Sequence, residues 1–260
     1  MTRVRVALCL AVAALALAAQ PAHAQSAQAQ TAPPVPYRFY LNLDAGAEVG
    51  TQNLSVPGSF PLYGETATFT SAVPINNAPM VNLEGGWRLW RNLFASLAFT
   101  WRLKSSSGSD VVAKIPHPLV VNQPRTATTN VSPLENTETA LHFNAGWETA
   151  VTEKMSVRFY GGPSIFGVTQ DVVSTIEVAE VGPPYSAVTI TGATLERLSK
   201  FGGFGFNVGV DGTYMFSDRI GMGLLVRYAK GTVDLTGPED MKVSVDAGGF
   251  DGGLGIRLRF

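Results

Sequence analysis

From Tyr37 onward, blocks of strictly alternating apolar and polar side chains are separated by stretches that lack the alternation. Successive side chains of a strand point to opposite faces, so this period predicts strands with one apolar face. Tyr37–Val49 places Tyr37, Phe39, Leu41, Leu43, Ala45, Ala47 and Val49 on one side, and Arg38, Tyr40, Asn42, Asp44, Gly46 and Glu48 on the other. Pro79–Trp90 sets Val81, Leu83, Trp87 and Leu89 against Asn82, Glu84 and Arg88. Leu93–Lys104 sets Leu97, Phe99, Trp101 and Leu103 against Ser96, Thr100, Arg102 and Lys104. In Thr137–Val151, Leu141, Phe143, Ala145 and Trp147 oppose Glu138, His142, Asn144 and Glu148. Met155–Val168 opposes Val157, Phe159 and Ile165 to Arg158, Tyr160 and Ser164. Lys200–Phe216 turns Phe204, Phe206, Val208, Val210, Tyr214 and Phe216 away from Asn207 and Asp211, and Ile220–Gly231 turns Met222, Leu224, Val226 and Tyr228 away from Arg227. The last block, Val243–Phe260, alternates Leu254, Ile256, Leu258 and Phe260 with Gly253, Gly255, Arg257 and Arg259, and carries Asp251 on the polar side. Gly248-Gly249 breaks its period and predicts a bulge or bend.

About eight strands follow, joined alternately by short turns and long segments. The turns are Arg91-Asn92, Thr152-Glu153-Lys154 and Ser217-Asp218-Arg219. Gly50–Asn77, Ser105–Asn136 and Thr169–Ser199 are rich in Thr, Ser, Asn, Gly and Pro and are expected to be exposed loops, with Thr232–Lys242 as the shortest. Within the third, Val172–Val178 and Ala187–Thr194 are β-rich and are expected to extend the strands beside them. Short turns at one end, long connections at the other and an even strand count are the pattern of a membrane barrel. Both termini then lie on the short-turn side. Trp87, Trp90, Trp147, Tyr214, Phe216 and Phe260 fall near one end of the strands, Trp101 and Tyr228 near the other, as interfacial girdles would.

The amino terminus settles which side of the alternation faces out. Arg3 and Arg5 precede the apolar run Val6–Ala19, and Ala22-His23-Ala24 fits a cleavage site, so residues 1–24 are expected to be a secretory signal with the mature chain starting near Gln25. Residues 25–36, rich in Ala, Gln and Pro, are expected to be a flexible periplasmic lead-in, and residues 37–260 the barrel domain. The only cysteine is Cys9, inside the signal, so the mature chain has no disulfide or thiol-based metal site. Beyond the signal no apolar run approaches the ~18 residues of a membrane helix. Charged residues make up 15% of the chain, and 19 bases nearly balance 20 acids, which leaves no basic field for nucleic acid.

With its alternation, girdles and closing strand, the chain resembles the small eight-stranded barrels of the OmpA, OmpX and opacity-protein type. That resemblance implies an all-β, antiparallel, up-and-down transmembrane barrel in the outer membrane of a Gram-negative bacterium. It implies a closing strand, Leu254, Ile256, Leu258 and Phe260, whose terminal aromatic is part of the signal read by the barrel assembly machinery. Expected partners are outer-membrane lipid and lipopolysaccharide, and periplasmic chaperones with the assembly machinery during biogenesis. No peptidoglycan-binding domain follows the barrel, so that anchoring role of OmpA is not implied.

The polar face gathers Arg38, Asp44, Glu48, Glu84, Arg88, Arg102, Lys104, Glu138, Glu148, Arg158, Asp211, Arg227, Asp251, Arg257 and Arg259. Eight strands enclose a space that side chains just fill, and an unpaired buried charge costs several kcal/mol, so an ion-paired plug is expected rather than a narrow ion path. Barrels of this size that modify lipid, such as lipid A deacylases, use a Ser/His pair. Here His142-Phe143-Asn144 offers no serine two residues along, so His142 is expected to be structural and the protein not an enzyme. His117 alone makes no metal site, and Gly202-Gly203-Phe204-Gly205 lacks the spacing and setting of a nucleotide loop. The loop acids Asp171, Glu177, Glu180, Asp234, Glu239 and Asp240 are expected to be solvated, and no cofactor or metal is expected. A structural or surface-interaction role is therefore expected, with a small pore or a carrier of apolar ligands as the alternative and a lipid-modifying enzyme behind both. The extracellular ligand is not identified by the loop sequences.

Overall fold

The computed structural model describes residues 37–50, 52–237 and 242–260. The expected signal and lead-in lie outside the described residues. Eleven strands follow: β1 (Phe39–Val49), β2 (Gln52–Leu62), β3 (Glu65–Ile75), β4 (Ala78–Trp90), β5 (Leu93–Ile115), β6 (Arg125–Ala150), β7 (Met155–Val181), β8 (Ala187–Met215), β9 (Ile220–Thr236), β10 (Lys242–Ala247) and β11 (Phe250–Arg259). Eight of them form a closed antiparallel ring, in the order β1, β4, β5, β6, β7, β8, β9, β11 and back to β1. Closure joins the first strand to the last, with Tyr40 opposite Arg259 and Val49 opposite Phe250. A closed ring leaves no sheet edge, which is what lets strands cross a bilayer.

The three short turns lie at one end of the ring. At the other end the strands run far beyond a membrane. At ~3.3 Å per residue a strand the length of β8, 29 residues, measures ~95 Å, against an apolar band ~25 Å tall. Two of the expected loops are therefore sheet. Gly50–Asn77 is the β2–β3 hairpin, turned at Tyr63-Gly64 with both residues at positive φ, 53° and 77°. Most of Ser105–Asn136 is the paired upper half of β5 and β6, up to Lys114 opposite Thr126. The β-rich parts of Thr169–Ser199 do extend β7 and β8. Thr232–Lys242 is shorter than expected, because β9 runs to Thr236 and pairs with β10. Glu239 and Asp240 lie outside the described residues.

The reason is a second alternation. Val56, Phe69, Val73, Ile75, Val111, Ala113, Ile115, Leu134, Val233, Leu235, Val243 and Val245 all point inward and are buried. Their outward neighbours are mostly Thr, Ser and Pro rather than Leu or Phe, so the segments read as polar. Threonine is a good strand residue, and this face meets water instead of lipid. The molecule thus has two interiors in line: a polar one inside the membrane section and an apolar one above it.

The bend expected at Gly248-Gly249 separates β10 from β11. Gly248 has φ +89°, and a Cβ there would sit 2.5 Å from the carbonyl oxygen of Ala229. Around the membrane section the outward side chains are exposed hydrocarbon: Leu43, Leu83, Leu97, Phe159, Val208, Leu224 and Leu254, among others. Aromatic pairs mark its limits. Phe39 stacks on Trp87 at 5.8 Å and Tyr214 meets Phe216 at 5.6 Å near the turn end, while Phe206, Tyr228 and Phe250 form a row at 6.2 and 4.8 Å near the other.

Candidate functional site: the filled lumen

Alternation on eight strands aims a polar residue inward at each level, and ring closure brings residues distant in sequence to one axis. Glu148 receives Arg88 at 2.7 Å, Arg259 at 3.0 Å and the hydroxyl of Tyr37. Both guanidinium groups lie over the Tyr37 ring, at 4.4 and 4.3 Å, where the ring face adds attraction. Arg158 stands over the Tyr40 ring at 3.8 Å and 3.9 Å from Glu84, which also accepts hydrogen bonds from Tyr40 and Asn42. Arg257 is shared between Asp44 at 2.6 Å and Asp211 at 2.5 Å. Arg227 holds Asp251 at 2.6 Å and donates to Asn82 and Thr100. Arg102 lies 3.7 Å from Glu48 and 3.8 Å from Glu138, and reaches Asn136 at 3.1 Å. Asn136 donates to Gln170, after which the apolar interior begins.

Two of the inward assignments, Arg38 and Lys104, and one outward assignment, Tyr37, need correction. Arg38 is exposed and takes no part in the lumen, whereas Tyr37 is buried. The cause is a break in the ladder: the amides of Arg38 and Phe39 both donate to the carbonyl of Phe260, so the alternation of β1 does not continue back to Tyr37. Lys104 is also exposed and pairs with Glu135 on the outer surface. Asp44, Glu48, Glu84, Glu138, Glu148, Asp211 and Asp251 are buried, as are Arg102, Arg158, Arg227, Arg257 and Arg259, with Arg88 half-buried. Leu254, Ile256 and Phe260 face outward in the apolar belt, and Leu258 is partly covered there.

The serine missing from the neighbourhood of His142 in sequence is supplied by the fold. Ser164 lies opposite it on β7, with its hydroxyl 2.8 Å from His142 Nδ1. Asn207 donates to the same hydroxyl at 3.1 Å. Register between β6 and β7 creates the pair, and a single sequence does not display register. Both residues are buried in the lumen. The His117 ring accepts the amide of Leu119 in an outer turn.

Sequence reasoning also missed a clamp at the outer end. Arg125 binds Glu180 and the carbonyls of Tyr185 and Pro116, tying the β5–β6 turn to the β7–β8 turn. Glu65 accepts the amide of Asn122 and adds the β2–β3 hairpin. The hydrogen bond from Arg125 holds the Glu180 carboxyl below its usual pKa, so the clamp persists above the ordinary carboxylate range and is lost as pH falls through the lowered value. Asp171 is lowered for the same reason by Arg197, and Asp234 accepts Ser244. Among the described residues no group of three His, Cys, Asp or Glu side chains is placed to hold a metal.

Residues 40–231 match the family described as Legionella pneumophila major outer membrane protein precursor. The chain belongs to this family. It is an outer-membrane β-barrel protein. Among solved structures it resembles OprG from Pseudomonas aeruginosa, with 10% identity, TM-score 0.43, and 86% of this chain and 96% of that one covered. It also resembles Neisserial surface protein A, with 12% identity, TM-score 0.40, and 85% and 97% covered. A third is the outer membrane protease OmpT from Escherichia coli, with 12% identity, TM-score 0.34, and 86% and 97% covered. No curated protein matches the chain in sequence at a significant level.

Proposed function

We propose that the protein is a closed, non-catalytic barrel whose work is done by its outer tier. The observation that carries this is the filling of the lumen: ion pairs occupy the membrane section, packed Val, Ile, Leu and Phe occupy the section above, and the cavity where they meet measures only about 10 Å³. A pore or an apolar-ligand carrier needs a continuous or sizeable void, and among the described residues neither filling provides one, the larger hollow of about 670 Å³ lying at the turn end beside Tyr37 and Arg259. The His142–Ser164 pair lies inside that filling, out of a substrate's reach, and serves the plug. The outward belt rests in outer-membrane lipid and lipopolysaccharide. The clamped turns, with Leu119 73% and Val121 71% exposed, are the surface offered to the exterior. Purified protein in a planar bilayer is expected to give rare, small openings. Large, steady single-channel steps would make it a pore instead.

We also assign the assembly signal to the outward row of β11, Leu254, Ile256, Leu258 and Phe260. Deleting Phe260 removes the terminal aromatic and the carbonyl that receives the Arg38 and Phe39 amides. The deletion is expected to leave little protein in the outer membrane and to send the rest to periplasmic degradation. Normal outer-membrane levels on fractionation would place the signal elsewhere.

A further inference from the structure

We propose that the junction between the ionic plug and the apolar interior is a proton-binding site, in which Glu48 and Glu138 share one proton beside Arg102. With Arg38 and Lys104 outside, the described residues place seven carboxyl groups in the lumen, Asp44, Glu48, Glu84, Glu138, Glu148, Asp211 and Asp251, against six guanidinium groups, Arg88, Arg102, Arg158, Arg227, Arg257 and Arg259. The surplus can be placed. At the junction three carboxyl groups, Glu48 on β1, Glu138 on β6 and Asp251 on β11, face two cations, Arg102 on β5 and Arg227 on β9. Tyr160 on β7 and His142 on β6 are the remaining titratable groups nearby. Arg227 is committed to Asp251 through two nitrogens, which leaves Arg102 alone between two glutamates.

Geometry favours a proton over any larger cation. The cavity is lined by Glu48, Glu138, Asp251, Arg102, Thr100 and His142, and at about 10 Å³ it offers the room of one water molecule. A metal ion placed there would sit against the Arg102 guanidinium, whereas a proton takes no space. The long separations of Arg102 from its two glutamates, 3.7 and 3.8 Å, exceed hydrogen-bond length and suit a bridging water. A second and independent sign is the set of buried atoms around the cavity without a hydrogen-bond partner: His142 Nε2, Arg102 Nε and Asp251 Oδ1. All three residues are at most 4% exposed. A water seated there reaches the Arg102 donor, the Asp251 acceptor and His142 Nε2, and relays the shared proton between the carboxyl groups.

The test uses the refolded full-length barrel in lipid. Its infrared spectrum at neutral pH is expected to contain the carbonyl stretch of a protonated carboxylic acid, lost or reduced in Glu48→Gln and Glu138→Gln and unchanged in Asp234→Asn on the outer hairpin. The folded state then holds a proton that the unfolded chain has released, so stability is expected to fall as pH rises from about 5 to about 9. Glu48→Gln carries its hydrogen permanently and should flatten that dependence, with an unfolding midpoint at or above the wild-type value at the alkaline end. Absence of the band from the wild-type spectrum overturns the proposal whether or not either variant folds. A Glu48→Gln barrel weakened equally at every pH also overturns it, because that is the signature of a broken ion pair.

Discussion

Arg257→Met is expected to destabilise the barrel by about 3–5 kcal/mol, read from denaturant unfolding in lipid. The side chain is 1% exposed and serves Asp44 and Asp211 together. Methionine fills much of its volume, so the loss is electrostatic: two carboxylates from β1 and β8 are left facing each other without a cation. The same logic predicts repair. Asp44→Asn and Asp211→Asn added to Arg257→Met remove the stranded charges, and the triple variant should regain most of the loss, far from the sum of the single effects. If the triple variant is weaker than Arg257→Met alone, the network is held by something other than charge pairing.

Phe69→Ala is expected to be as costly but to act elsewhere. Phe69 is 3% exposed at the centre of the β2–β3 hairpin, and the tip of its ring occupies the space beside Gly58, where a Cβ would come within 2.2 Å of its Cζ. Truncating a buried phenylalanine costs about 3–5 kcal/mol when its surroundings cannot collapse. That energy is drawn from the apolar interior above the membrane, while the ion pairs below are untouched. Proteinase K added to whole cells carrying the wild-type protein should cut in the outer turns, around residues 116–124 and 182–186. In Phe69→Ala cells it should also cut within residues 52–75, while the membrane section keeps its heat-modifiable migration on gels. Cleavage within 52–75 in the wild type would mean that the hairpin is not folded against β5.

The two predictions divide along the same line as the sequence did. The membrane section was legible because lipid demands Leu, Phe and Trp outside, so alternation there is steep and the strand count of the ring could be taken from it. Above the membrane, Val111 and Ile115 alternate with Val112 and Lys114, and Leu54 and Val56 with Ser55 and Pro57. The contrast is shallow because water, not lipid, wets the outer face, and a search for steep alternation passes over it. Gly248-Gly249 was legible as a break because glycine leaves no side chain to continue the pattern. Tyr37 and Arg38 were misplaced because a break in the hydrogen-bond ladder leaves no trace in the residue types. The pairs themselves, Ser164 with His142 or Arg125 with Glu180, depend on register and hairpin geometry. Single-chain alternation gives the face of a side chain but not its height.

The closure between β1 and β11 also bears on chain order. The amide of Arg38 lies 2.8 Å from the carbonyl of Phe260, so a short linker could join the two ends of the ring without moving a strand. New ends opened at the Arg91-Asn92 turn would leave β5 first and β4 last. That permuted chain would close with the row Leu83, Trp87 and Leu89 and carry Trp90, another exposed aromatic at the turn end of the barrel, one residue from its new end. Being the last strand is a property of where the chain is cut, whereas an outward apolar row with an aromatic at its turn end occurs at more than one place along it.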